Sequence, residues 1–165
     1  MLKGDINTTR LLEACVNGNI DKVKHLITLV NPSHAGNYSI RYASSYGHID
    51  IVKLLLSDPR VDPSAEDNWA IGVASDNGHI EIVRLLLADP RVDPSAGDDE
   101  AIRWASDNGH LEVVRLLLED PRVDPLTREN EAIKWARKNG HTEVVELLTE
   151  HLFRLDGPKY NENII

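Results

Sequence analysis

The chain has 165 residues, room for one compact domain or one short solenoid, with 18 Lys plus Arg against 27 Asp plus Glu and a formal net charge of −9. That balance repels phosphate backbones and anionic lipid, so neither a nucleic-acid nor a membrane partner is expected. The one cysteine, Cys15, excludes an intrachain disulfide and a cysteine-based zinc cluster, and the opening MLKGDINTTRLLEACVNG lacks the apolar core of a secretion signal. No run approaches the length of about 18 apolar residues that spans a bilayer. Cytosol or nucleus is the expected compartment.

In chain order, the first helical patterns cover 8–16 and 20–30 with Gly18 between them. Lys22, Lys24 and Glu13 mark a polar outer side, as the end unit of a stack requires. The chain then repeats itself. The dipeptide Gly-His recurs at Gly47-His48, Gly78-His79, Gly109-His110 and Gly140-His141, a spacing of 31 residues held three times. Five units follow, at about 7–33, 34–63, 64–94, 95–125 and 126–155, with a tail over 156–165.

Within a unit, Asn37, Asn68, Asp99 or Asn130 precedes a short apolar-periodic run and is expected to cap a first helix, roughly 101–107 in the fourth unit. Glycine ends that helix because it accepts the left-handed conformation just past a helix end. A second helix starts at the histidine. Leu111, Val113, Val114, Leu116, Leu117 and Leu118 are too apolar for a surface helix and imply neighbours on both sides, with Glu112 and Arg115 at the solvent edge. The Asp-Pro-Arg-Val-Asp-Pro segments at 58–63, 89–94 and 120–125 then force an extended turn, since proline disfavours helix in the residue before it. At the end, Phe153 and Leu155 are expected to cover the last apolar face before Gly157-Pro158.

Ile102, Ala105, Gly109, His110, Glu112, Val113, Val114 and Leu116 to Leu118 fall on the pattern of the ankyrin repeat, as do their counterparts one unit before and after. The chain resembles that family over about residues 7–152. The resemblance implies an all-α solenoid of stacked helix-turn-helix units, binding of a protein or peptide in a concave groove, no enzymatic activity, and a structural histidine that hydrogen-bonds neighbouring loops. The Thr-Pro and first-helix histidine of the family are absent, and the unit is shorter than the usual 33 residues. Pro90 and Pro94 remove donors that a β-ladder needs, so strand-poor fingers are expected. The Asp-Pro-Arg-Val-Asp-Pro variant is similar to arrays of protists and of the large DNA viruses infecting them. That likeness implies, as an alternative, a host-directed effector or substrate adaptor acting in host cytosol.

Chemistry is hard to assemble from these residues, and no cofactor is expected. The four repeat histidines sit about one helix-packing distance apart, ~8–10 Å, too far to share a zinc bound at about 2 Å. Cys15 occupies a small core position of the first helix and reads as an inert buried thiol.

Specificity in a repeat protein resides where the copies disagree. One column reads Tyr38, Trp69, Glu100, Glu131, a second Arg41, Gly72, Arg103, Lys134, and a third Tyr42, Val73, Trp104, Trp135, the last assigned to wedging between first helices. After the first helix stand Ser45-Tyr46, Asp76-Asn77, Asp107-Asn108 and Lys138-Asn139. The resulting partner-binding candidates are Tyr38, Arg41, Tyr46, Trp69, Asp76, Asn77, Glu100, Arg103, Asp107, Asn108 and Lys138. Arg60, Arg91 and Arg122 are expected to pair with neighbouring aspartates. The expected function is a monomeric protein-interaction module with an acidic concave surface, and the alternative of another class is a scaffold with no specific partner.

Overall fold

A computed structural model describes residues 6–156. It holds ten helices in chain order: α1 (Ile6–Val16), α2 (Ile20–Leu26), α3 (His34–Ser45), α4 (Ile49–Leu56), α5 (Ala65–Asp76), α6 (Ile80–Leu87), α7 (Ala96–Asp107), α8 (Leu111–Leu117), α9 (Thr127–Lys138) and α10 (Thr142–Asp156). Among the described residues there is no strand. Odd-numbered helices pack in sequence against one another, and so do the even-numbered ones, giving two layers of an all-α solenoid. The strand-poor fingers follow from Asx turns, in which Asp58, Asp89 and Asp120 accept from the arginine N–H two residues on at 3.0 Å.

Burial explains why these segments settle as helices. In α6, Ile82, Val83 and Leu86 are buried while Glu81 and Arg84 face water. In the facing layer small residues, Ala70 and Ala74 in α5 and Ala101 and Ala105 in α7, are buried beside the larger Ile71 and Ile102 and let backbones approach. One buried Ile, Val or Leu stabilises by about 1.5–3 kcal/mol, so the inter-unit core dominates the energetics. Cys15 lies in that core beside Ser39, and burial pushes its thiol up to about 12, so no thiolate forms near neutral pH.

The turn between paired helices works by two coupled requirements. His110 N–H donates to the Ala105 carbonyl at 2.9 Å while Gly109 takes φ 73°, a Schellman-type stop. The glycine also faces the histidine of the next unit. A Cβ on Gly78 would stand 2.6 Å from His110 Nδ1, and one on Gly18 2.6 Å from His48 Cε1, closer than atoms tolerate.

Asn37, Asn68, Asp99 and Asn130 do not cap helices, a correction to the sequence reading. Each ends a three-residue stretch of left-handed backbone, 35–37, 66–68, 97–99 and 128–130, with φ between 52° and 69°. The side chains of Asn37, Asn68 and Asp99 instead reach the finger that ends their own unit. Asn37 Oδ1 accepts from Asp62 N–H at 2.9 Å, Asn68 Oδ1 from Asp93 N–H at 2.8 Å and Asp99 Oδ1 from Asp124 N–H at 2.8 Å. Asparagine and aspartate tolerate this conformation better than most residues, which accounts for their presence there.

At the end of the chain Leu152, not Phe153, closes the core: Leu152 is buried and Phe153 is 42% exposed. The helical phase places 152 four residues after the buried Leu148. The side chain of Leu155 and the tail from 157 lie outside the described residues.

Two stability outcomes follow. Gly78→Ala combines left-handed strain with the His110 clash and is expected to cost about 2 kcal/mol or more, read as a lower urea midpoint. Asp67→Gly, in a left-handed turn with no glycine of its own, is expected to do the opposite and stabilise by about 0.5–1 kcal/mol in the same titration.

Candidate functional site

The first-helix layer presents one column of polar and aromatic side chains per turn, positioned by the left-handed stretch just before it. From α3, Tyr38 stacks on Tyr42 at 5.5 Å between ring centroids. The Arg41 guanidinium lies 4.7 Å from the centre of the Tyr38 ring and 5.3 Å from that of Trp69 on α5. Trp69 in turn meets Trp104 of α7 edge-on at 5.5 Å. Five side chains from three helices thus form one continuous stack, in which Tyr38 and Trp69 remain 36% and 38% exposed. Each cation–π contact contributes about 0.5–2 kcal/mol, according to its desolvation.

Further along the array the same columns become ionic. Arg103 Nη1 pairs with Glu131 Oε2 at 2.7 Å, and its guanidinium lies 5.6 Å from the Trp135 ring centre. Arg128 reaches the same carboxylate at 3.8 Å. Arg103 is only 3% exposed, so it packs units together instead of offering a contact surface. Glu131, 28 residues on, was the signal in the sequence for that pairing.

Glu100 differs. It is half-buried and makes no hydrogen bond or ion pair among the described residues. Burial raises its pKa, opposed by Arg103 and Arg128 and reinforced by Asp67.

The turn candidates are largely engaged with one another. Asn108 Nδ2 donates to Asp76 Oδ1 at 2.8 Å, and Asn139 Nδ2 donates to Asp107 Oδ1 at 2.7 Å. Asn77 Nδ2 donates to its own helix at Val73 O, 2.8 Å away. Tyr46 is 54% exposed and stacks beside His48, and Lys138 is exposed. The sequence reading named these residues individually; that they bridge consecutive units as a ladder was not legible in it.

The repeat histidines are structural pins. Nε2 of His48, His79, His110 and His141 lies 2.8–3.0 Å from the carbonyls of Val16, Ser45, Asp76 and Asp107, each in the preceding unit. Asn19, standing where the first unit would have a histidine, instead accepts from Lys22 N–H at 3.0 Å and caps α2. The finger arginines do two tasks. Arg60, Arg91 and Arg122 pair with Asp58, Asp89 and Asp120 at 2.6–2.7 Å, and each donates to a carbonyl one unit back, of Ile27, Val61 and Val92 respectively. Among the described residues no group of three or more His, Cys, Asp or Glu is placed to hold a metal ion.

Pairs of helices at this period, joined by a glycine-histidine turn that pins one unit to the next, agree with the family comparison. The model for ankyrin repeats in three copies matches residues 71–164, and that for a single ankyrin repeat matches residues 35–68. The chain belongs to the ankyrin-repeat family. No curated protein matches it. Within this ankyrin array the unit formed by α1 and α2 precedes the matched residues, in keeping with its departure from the repeat pattern at Asn19.

Two pH-linked outcomes test the ionic assignments. The Arg91 guanidinium holds the Asp89 carboxyl below its usual pKa. That contribution is therefore present above the unfolded pKa of about 4 and is lost as pH falls through the lower folded value. Arg91→Gln is expected to cost about 1 kcal/mol at pH 7, with the gap to wild type narrowing in urea titrations below about pH 4. For Glu100 the sign reverses, because its folded pKa is raised and the charged form is penalised above it. Glu100→Gln is expected to raise the thermal midpoint slightly at pH 7, and the gain should shrink as the wild-type carboxyl takes up a proton.

Proposed function

We propose that the chain is a non-enzymatic, monomeric interaction module of cytosol or nucleus. It presents the exposed side of α3, α5, α7 and α9, with its Asp and Glu residues, to a protein or peptide. Ankyrin repeats are in general protein-interaction modules, and no helix among the described residues is long and apolar enough to cross a membrane. One observation carries the siting of the contact surface: Tyr38 and Trp69 stay exposed while the half-buried Arg41 between them already holds both rings in place. Rigid aromatic groups bury large area on binding at low entropic cost, and they dominate binding hot spots. Tyr46, Asp76, Asn77, Asp107, Asn108 and Lys138 lie along the neighbouring edge as a polar rim, and Glu100 extends the acidic half. Arg103, buried in its ion pair, supports this surface from beneath.

A tagged chain used as bait in lysate is expected to retain saturable protein partners that the Tyr38→Ala, Trp69→Ala double variant loses, with an unchanged helical circular dichroism spectrum. The finger sequence directs the choice of lysate toward protist cells, including hosts of large DNA viruses. Partners retained by the folded double variant would move the contact surface elsewhere, and a blank for both proteins would favour a scaffold without a specific partner.

A further inference from the structure

The net charge of the chain is concentrated in its middle. Residues 64–125, the third and fourth units, hold 14 Asp and Glu against five Arg and no Lys, a balance of −9 that equals the charge of the whole chain. All five arginines are engaged. Arg84, Arg91, Arg115 and Arg122 pair with Glu81, Asp89, Glu112 and Asp120 on the second helices and fingers, and Arg103 crosses to Glu131. Of the ten carboxylates left without an arginine partner, seven belong to the first helices α5 and α7, so the excess negative charge falls on that side. Glu66, Asp67 and Asp98 are exposed among them.

Beside this charge lies an aromatic face. Tyr38, Tyr42 and Tyr46 follow one another at a spacing of four along α3 and its C-cap, so the helical repeat lines them on one side, and all three are exposed. In the column of Tyr42, Trp104 and Trp135 turn onto the preceding unit, over Gly72 and Arg103, and are half-buried. The Tyr42 ring stacks instead on Tyr38 and stays open. Arg41 is half-buried against the Tyr38 and Trp69 rings, which leaves ring surface outermost. Glu66 joins the aromatic face to the acidic one: its Oε1 lies 2.7 Å from where a Cβ on Gly36 would stand, two residues before Tyr38.

We infer that the tyrosine face receives a cationic segment of the protein partner, with apolar side chains on Tyr38, Tyr42 and Tyr46 and Lys or Arg side chains over the carboxylates of Glu66, Asp67 and Asp98. The inference rests on the interaction-module reading and names the chemistry of the partner. Tyrosine offers large, rigid contact area at low entropic cost, and a one-sided negative field draws a cationic segment to it and turns an acidic one away. The distance from α3 to α7, two helix spacings or about 20 Å, is spanned by about six extended residues.

The test uses the full chain as bait for a random-peptide phage library. Enriched peptides, made synthetically, are expected to carry an excess of Lys and Arg with at least one large apolar residue, and to bind more weakly as salt is raised. Asp67→Asn with Asp98→Asn, which keeps side chains suited to left-handed backbone, should weaken binding about tenfold, and so should Tyr42→Ala. Glu81→Gln with Glu112→Gln removes the same charge from the second-helix layer and should leave affinity within about twofold, which separates a local contact from an effect of net charge. Peptides without the excess of cations, or peptides that keep full affinity for the Asp67→Asn, Asp98→Asn variant or for Tyr42→Ala, would overturn the cationic segment and leave the interaction module standing. An equal loss in the second-helix variant would do the same. A library that yields no enriched peptide would count against both.

Discussion

The structure depends on backbone groups that each unit leaves unsatisfied and the next unit satisfies. The clearest case is the carbonyl at the end of a first helix, which the repeat histidine of the following unit reaches at about 3 Å. A glycine must stand opposite that ring, because its backbone is left-handed and a Cβ there would collide with the imidazole. The finger arginine adds a second link with the same logic, joining its guanidinium to main chain one unit back, while the left-handed Asn or Asp ties the start of a unit to its own finger. These links fix the register, while apolar burial between the layers supplies most of the stability.

Rigidity of the stack makes the exposed columns meaningful. Since the links hold successive first helices in one register, residues 28 apart in sequence meet across the α3–α5 and α7–α9 boundaries. The chain uses that meeting differently along its length: an arginine between aromatic rings at the α3–α5 boundary, and an arginine–glutamate pair at α7–α9. Between them, the arginine position holds Gly72 and Glu100 makes no ion pair, although Arg103 and Arg128 act on it from nearby. A surface built this way varies in chemistry while its backbone repeats, which is how one fold serves unrelated partners.

Three consecutive residues with φ near 60° are costly for side chains other than glycine, asparagine and aspartate. They persist because they turn the chain from finger to first helix and aim the third side chain at the next finger's N–H. Gly36 and Gly97 relieve the strain in two units, whereas Glu66-Asp67-Asn68 and Arg128-Glu129-Asn130 contain no glycine.

By itself the sequence determined the period, the helix pairs, the glycine stops, the strand-poor fingers and the all-α stack. These follow from local spacing and backbone chemistry repeated often enough to read. It also gave the inert character of Cys15 and the pairing of the finger arginines with their aspartates, both local in origin. Only the tertiary structure decided that Asn37, Asn68 and Asp99 reach their own units' fingers instead of capping helices, that Arg103 is buried, that Leu152 and not Phe153 closes the end, and that Glu100 makes no ion pair. Those outcomes depend on which residue from elsewhere in the chain arrives at a given place, a distance relation that composition and local periodicity do not carry.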